Sequence, residues 1–272
     1  MKARTRILAM ATLVATLLLT AWVGNATFPM RARASTSGAV EKLPVLTNST
    51  SALPVGVIPF KEAIARIEFN STGEDLGFHV ELDADAWKQA TIFSPNGSKL
   101  FKVKNQGSVG KQGLTHLAFE SAEPTLAQLP LDKFLARFPE GVYTVVGETI
   151  KGETLMSPMT LTHDIPAPPM ITSPGEGEVV SVDAVVIDWE PVTSPAGIEI
   201  VLYQLFLFPA DPPVGQSPPA LNIDFTLEVP TTVTRVRIPP ELLEPGIEYK
   251  FEVKAIEAGG NQTVTEGLFK TK

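Results

Sequence analysis

The stretch LEPGIEYKFEVKA, residues 243–255, carries the reading of the fold. Behind the turn signal Glu244-Pro245-Gly246, the apolar residues Ile247, Tyr249, Phe251, Val253 and Ala255 alternate with Glu248, Lys250, Glu252 and Lys254. Apolar residues at every second position, with charges between them, describe an antiparallel strand packed on a core by one face and wetted on the other. Val185, Ile187 and Trp189 form a similar face upstream, and Thr234, Val236 and Ile238 form another opposite Arg235 and Arg237. Turn signals at Ser173-Pro174-Gly175, Ser194-Pro195-Ala196-Gly197 and Gly259-Gly260-Asn261 punctuate these runs. Short strands broken up in this way predict a β-sandwich.

The pattern Leu243-x-Pro245-Gly246-x-x-Tyr249-x-Phe251-x-Val253-x-Ala255 resembles a strand and its preceding corner in fibronectin type III domains. Val185-x-Ile187-x-Trp189-x-Pro191 is similar to that family's second strand, and Tyr203 within Ile200–Phe208 matches the aromatic of its third. The resemblance implies a framework of Trp189, Tyr203, Pro245, Gly246 and Tyr249, with the tyrosine hydroxyl turned back onto the corner's backbone. The proline-rich segment 208–220 departs from the pattern and leaves the middle edge strands open.

The first half also reads as β. Strands are expected at 63–69, 77–82, 89–93, 100–104 and 114–120, with a hairpin of 142–150 and 154–162 around Lys151-Gly152. One short helix is expected between them, because Leu131, Phe134, Leu135 and Phe138 fall at i, i+3, i+4 and i+7 between Pro130 and Pro139. Phe138-Pro139-Glu140-Gly141-Val142-Tyr143 again reads as a corner leading a tyrosine into a strand. The expected architecture is therefore all-β, with two tandem immunoglobulin or fibronectin III-like sandwiches and one short helix in the first. Asp75-Leu76-Gly77-x-His79, Gln112-Gly113-Leu114, Glu120-Ser121-Ala122-Glu123-Pro124 and Leu161-Thr162-His163 complete a likeness to secreted bacterial proteins that carry a fibronectin type III domain. That likeness implies no particular activity.

Residues 1–26 read as a signal peptide. Lys2, Arg4 and Arg6 precede the uncharged run Ile7–Val23, and Gly24-Asn25-Ala26 supplies the small residues of a cleavage site. Left uncleaved, this segment would be the chain's membrane contact. Residues 27–57 read as a flexible leader, 58–165 as the first sandwich, 166–169 (Pro166-Ala167-Pro168-Pro169) as a proline hinge, and 170–272 as the second sandwich. Domain pairs of this size interact weakly by default, so the hinge is expected to flex.

There is no cysteine, which excludes a lipid-modified N-terminal cysteine and any disulfide, and favours a bacterial exported protein in the periplasm or outside the cell. Loss of residues 1–26 removes three positive charges and takes the formal charge from −8 to −11. So acidic a surface repels nucleic acid. Five N-x-Ser/Thr sequons, Asn261 among them, are incidental in a bacterium.

Several places could hold chemistry. The loop Asn70-Ser71-Thr72-Gly73-Glu74-Asp75 gathers oxygen donors, with Asp83 and Asp85 following, so Asn70, Glu74 and Asp75 are candidate calcium ligands. The alternative is an acidic hairpin turn in which Gly73 supplies a positive φ, since the D-x-D-x-D-G spacing is missing. Glu120 and Glu123 could act as an acid–base pair of a hydrolase, or of an accessory module of a secreted enzyme, if they faced a cleft. His79, His116 and His163 all lie in the first half on separate strands; His79 with Glu81 is the nearest approach to a zinc pair. Trp87 is the remaining tryptophan for stacking a sugar, with burial as its more usual fate. No cofactor motif and no catalytic residue set is present. The expected function is non-catalytic: an extracytoplasmic binding or scaffolding protein that engages a protein or cell-surface partner.

Overall fold

A computed structural model describes residues 56–210 and 225–272. The signal segment, residues 27–55 of the leader and residues 211–224 of the proline-rich segment lie outside the described residues. In the first half the strands are β1 (Val57–Ile58), β2 (Glu62–Asn70), β3 (Asp75–Phe93), β4 (Lys99–Lys104), β5 (Leu114–Glu120), β6 (Gly141–Thr149) and β7 (Thr154–Leu161). Two short helices interrupt them, α1 (Gly107–Gln112) and α2 (Leu131–Arg137). The second half holds β8 (Ile171–Ser173), β9 (Glu178–Val180), β10 (Val186–Trp189), β11 (Ile200–Pro209), β12 (Phe225–Pro230), β13 (Arg235–Arg237), β14 (Glu248–Glu257) and β15 (Gln262–Thr271). The fold is all-β and built of sandwich layers.

Two strands expected separately at 77–82 and 89–93 are one 19-residue strand, β3. Between them stands Asp83-Ala84-Asp85-Ala86, which has no glycine, proline or asparagine to break the chain. The pleat slips there instead. Burial falls on Leu82 and Ala84, then moves to Trp87, then returns to Ala90 and Ile92. The register shifts against β5 after Asp83 and against β6 after Trp87. Residues before the slip pair with β2 and β5, and residues after it pair with β4 and β6. A single strand thus serves both layers, as bulged strands do at sandwich corners.

Helix α2 lies where its periodicity predicts, but Leu131 stays 44 % exposed, and Phe134 is its buried residue. Phe138, just past its end, stacks on Phe78 with ring centroids 4.4 Å apart. Helix α1 fills a link that the sequence leaves as loop. Gly113, which ends it, has φ +89, and a Cβ there would stand 2.7 Å from that of Ala86. The last leader residue, Val57, pairs with Thr154 of β7 as part of β1.

Apolar side chains form two cores, one drawn from residues 60–165 and one from 171–269. Strands β8, β10 and β13 make one layer over the second core, opposite β11, β14 and β15. Trp189 meets Tyr203 edge-on there at 5.5 Å, and the Tyr249 hydroxyl accepts a hydrogen bond from the Glu244 amide. Tyr143 in the first core donates to the Pro139 carbonyl at 3.0 Å. Trp87 is fully buried, which removes it as a sugar platform.

The two cores are joined by more than the proline stretch. Gln262–Val264 of β15 pairs in parallel with Glu68–Asn70 of β2, so a single sheet runs from β12 through β15 to β2 and on to β3. The buried Asn261 side chain accepts from the Ile67 amide at 2.9 Å and donates to the carbonyls of Thr162 and Asp164. Thr263 Oγ1 donates to the Pro166 carbonyl at 2.6 Å, and the Ser71 amide donates to the Val264 carbonyl. Proline removes donors from 166–169, but these strands and side chains supply the hydrogen bonds across the joint. The expectation of weak contact between the halves overlooked them, because every partner is distant in sequence.

Candidate functional site

Strand alternation turns Phe78, Val80 and Leu82 into the first core, and His79 and Glu81 onto the opposite face of the sheet. On that face Arg66 and Glu120 flank His79 in register, while Glu68 lies opposite Gly77. Beyond β5 the chain folds back alongside β3. The Ser121 amide donates to the Phe78 carbonyl, Ser121 Oγ accepts from the Phe78 amide, and Thr125 bridges to Asp75. This return carries Glu123 over Gly77. A Cβ on Gly77 would stand 2.9 Å from His79 Nε2, 3.0 Å from Glu123 Oε1 and 3.3 Å from Glu120 Oε1. The missing side chain is the space in which three functional groups converge.

Donor atoms of Glu68, His79 and Glu123 lie within 4.8 Å of one another. Glu68 Oε2 accepts from Lys254 Nζ of β14 at 2.6 Å, and also from Gln262 Nε2 of β15. Residues from the second half thus orient a carboxylate of the first. Arg66 is 3.6 Å from Glu81, so Glu81 is committed away from His79. The carboxyls near His79 are those of Glu68, Glu120 and Glu123, in place of Glu81, the nearest candidate along the sequence. Local spacing cannot show this, because register and a loop return bring these residues in.

His79 Nε2 is buried and has no hydrogen-bond partner among the described residues. Its 3.7 Å separation from Glu120 Oε1 exceeds hydrogen-bond range. Burial, with Arg66 and Lys254 nearby, depresses the imidazole pKa to about 4, so His79 is neutral at pH 7. Burial and the hydrogen bond shared with Glu120 push the Glu123 carboxyl up to about 8, with the negative charges of Glu120 and Glu68 adding to the shift. Burial is the largest influence on Glu68 and opposes its ionisation, but Lys254, His79 and Arg66 together bring the net shift downward. Asp75 is raised by burial and by its carboxylate neighbours Glu123, Glu266 and Glu68.

Of the calcium candidates, Asn70 has other partners. Asn70 Oδ1 accepts from the amides of Thr72 and Gly73, and its Nδ2 donates to Glu266. Glu74 takes the positive φ, +53°, in place of Gly73. Gly73 is needed for room, since a Cβ there would meet Asp75 Oδ2 at 2.5 Å. Asp75 Oδ1 is buried without a partner among the described residues. As for the other histidines, His163 Nε2 meets the Phe138 carbonyl at 2.8 Å, and His116 sits on β5 opposite Asp83.

The Glu120 and Glu123 carboxyls share a hydrogen bond. That is closer than the roughly 5–9.5 Å that glycosidase pairs keep to admit a substrate bond. Two shallow clefts, of about 120 and 320 Å³, lie against β15 near Glu176 and Glu266, and neither contains Glu120 or Glu123.

No family model matches this chain. Among solved structures, the chain is similar to a tetra-tandem repeat from the extending region of a large adhesion protein, at 11 % identity and TM-score 0.27. That match covers 78 % of this chain and 50 % of the other, so the chain spans about half the length of its neighbour. A second match, at 10 % identity and TM-score 0.25, is a 1.5-MDa bacterial ice-binding adhesin described in connection with host cell surface retention. It covers 79 % of this chain and 67 % of that one. Superposition this loose carries no functional argument. Among the described residues, no helix is long and apolar enough to cross a membrane.

Proposed function

We propose that this chain is a non-catalytic extracytoplasmic protein, exported to the periplasm or cell exterior, that binds or scaffolds a protein or cell-surface partner. One observation supports the reading most: the parallel pairing of β15 with β2, which carries one sheet across both cores. Such a joint resists bending, and a spacer or presenting module needs that property more than an enzyme does. The second half, with Trp189, Tyr203 and the Pro245-Gly246-Tyr249 corner in its framework, is read as fibronectin III-like.

Retention on intact bacterial cells and envelope sheets tests the proposal. Labelled folded protein is expected to be retained and heat-unfolded protein to be washed away; equal loss of both overturns it. The stiffness behind it is tested by Asn261→Ala. That change orphans the buried Ile67 amide, and the expected cost is about 1–3 kcal/mol in urea unfolding. A broader interdomain distribution in small-angle scattering should accompany it.

A further inference from the structure

We infer that His79, Glu123 and Glu68, with Glu120 as the fourth group, form a binding site for one divalent transition-metal ion of the zinc class at the joint between the two halves. The inference concerns metal chemistry and stands apart from the choice of partner.

Three observations carry it. First, Glu68, His79 and Glu123 combine an imidazole nitrogen with two carboxylates, and their ligand atoms lie within 4.8 Å of one another. Calcium and magnesium favour all-oxygen cages, whereas an imidazole among carboxylates suits zinc and its first-row neighbours. Second, His79 Nε2 is buried and unpartnered among the described residues, and faces carboxyl oxygens across a gap too long for a hydrogen bond. The 3.7 Å between Nε2 and Glu120 Oε1 is close to the roughly 3.3–3.5 Å that two ligands of one tetrahedral ion keep at bonds of 2.0–2.1 Å. Third, the lack of a side chain at Gly77 lets His79 Nε2, Glu123 Oε1 and Glu120 Oε1 converge over its backbone, where a Cβ would stand 2.9–3.3 Å from them.

The surroundings complete the arrangement. Lys254 and Gln262 hold Glu68 through Oε2, the orienting role that outer partners play around metal ligands. Both belong to the second half, while His79, Glu120 and Glu123 belong to the first. An ion bound here would tie the end of β2 to β3 and to the chain leaving β5, beside the β2–β15 seam. Its positive charge would also offset the crowding of carboxylates around His79.

The test uses the full exported chain, stripped with a chelator and titrated at pH 8 with Co²⁺ as a spectroscopic probe and Zn²⁺ as competitor. One equivalent of Co²⁺ is expected to give a visible ligand-field band of four-coordinate intensity, displaced by one equivalent of Zn²⁺. Zinc at a hundredfold excess over its Kd should raise the melting midpoint by roughly 5–10 °C. His79→Gln and Glu123→Gln should each weaken binding at least tenfold, while His163→Gln leaves it unchanged. Glu123 lies at the exposed rim, so Glu123→Gln keeps the test open even if His79→Gln fails to fold. The inference is overturned if no stoichiometric band appears, or if binding survives Glu123→Gln. A midpoint that rises with Ca²⁺ and not with Zn²⁺ also overturns it and points to the turn at Asn70, Glu74 and Asp75.

Discussion

One sheet face runs from β14 across β15 to β2 and β3, and its two ends handle charge in opposite ways. On the second-half end, Lys250 lies 2.7 Å from Glu266, 3.4 Å from Glu252, and 5.7 Å from the centroid of the Phe208 ring. Glu252 and Glu266 face each other directly across β14 and β15, and Lys250 lies between them, so one cation offsets two facing carboxylates. On the first-half end, three glutamates gather around one neutral imidazole, and two of their carboxyls share a hydrogen bond. The first arrangement is that of a half-buried structural ion pair. The second crowds carboxyls around His79 Nε2, a buried nitrogen with no hydrogen-bond partner among the described residues, and that is the pattern of a site. The contrast teaches that charge count says little about function, and that unsatisfied charge says more.

Three substitutions would break or sharpen this comparison. The largest effect is expected from Lys254→Met, which strips Glu68 of its cation with both side chains only 12–14 % exposed. Removing half of a buried pair costs about 3–5 kcal/mol, and chemical denaturation should read near the lower end. A loss below about 1 kcal/mol would make the joint no more tightly coupled than the Lys250 end. Next comes Gly77→Ala, whose Cβ would press on His79 and Glu123. Overpacking of this kind costs about 1–3 kcal/mol, and the zinc-dependent rise in melting midpoint should vanish with it. Smallest is Glu252→Gln on the balanced face. Burial already pushes the Glu252 carboxyl up, with Glu266 adding to it against Lys250. An isosteric neutral side chain should therefore shift stability by less than about 1 kcal/mol, measured by the same denaturation. A larger loss would show that the ladder is as strongly coupled as the cluster.

Local pattern carried much of the fold. Alternation between Ile247 and Ala255 places β14 to within two residues, and the 131–138 periodicity places α2. The fusion of two strands into β3 was hidden, because an Asp-Ala-Asp-Ala stretch reads as a break in pattern when it is a slip in the pleat. The site was half legible. His79, Glu120 and Glu123 each drew attention as chemistry-bearing residues, but Glu68 did not. As one charge on a strand face it has no local signal, and its partners Lys254 and Gln262 are 186 and 194 residues away. Asn261 read as a turn residue, and its role as the wedge of the joint depends entirely on what folds against it.

Sequence alone determined the all-β class, strands such as β14, and the absence of disulfides, because period-two alternation, turn residues and cysteine count are local properties of the chain. Tertiary structure decided that β15 joins β2 and that an imidazole and three carboxyls meet over Gly77. Strand register and loop return are set by which surfaces bury one another across nearly two hundred residues, and no spacing along the chain encodes that.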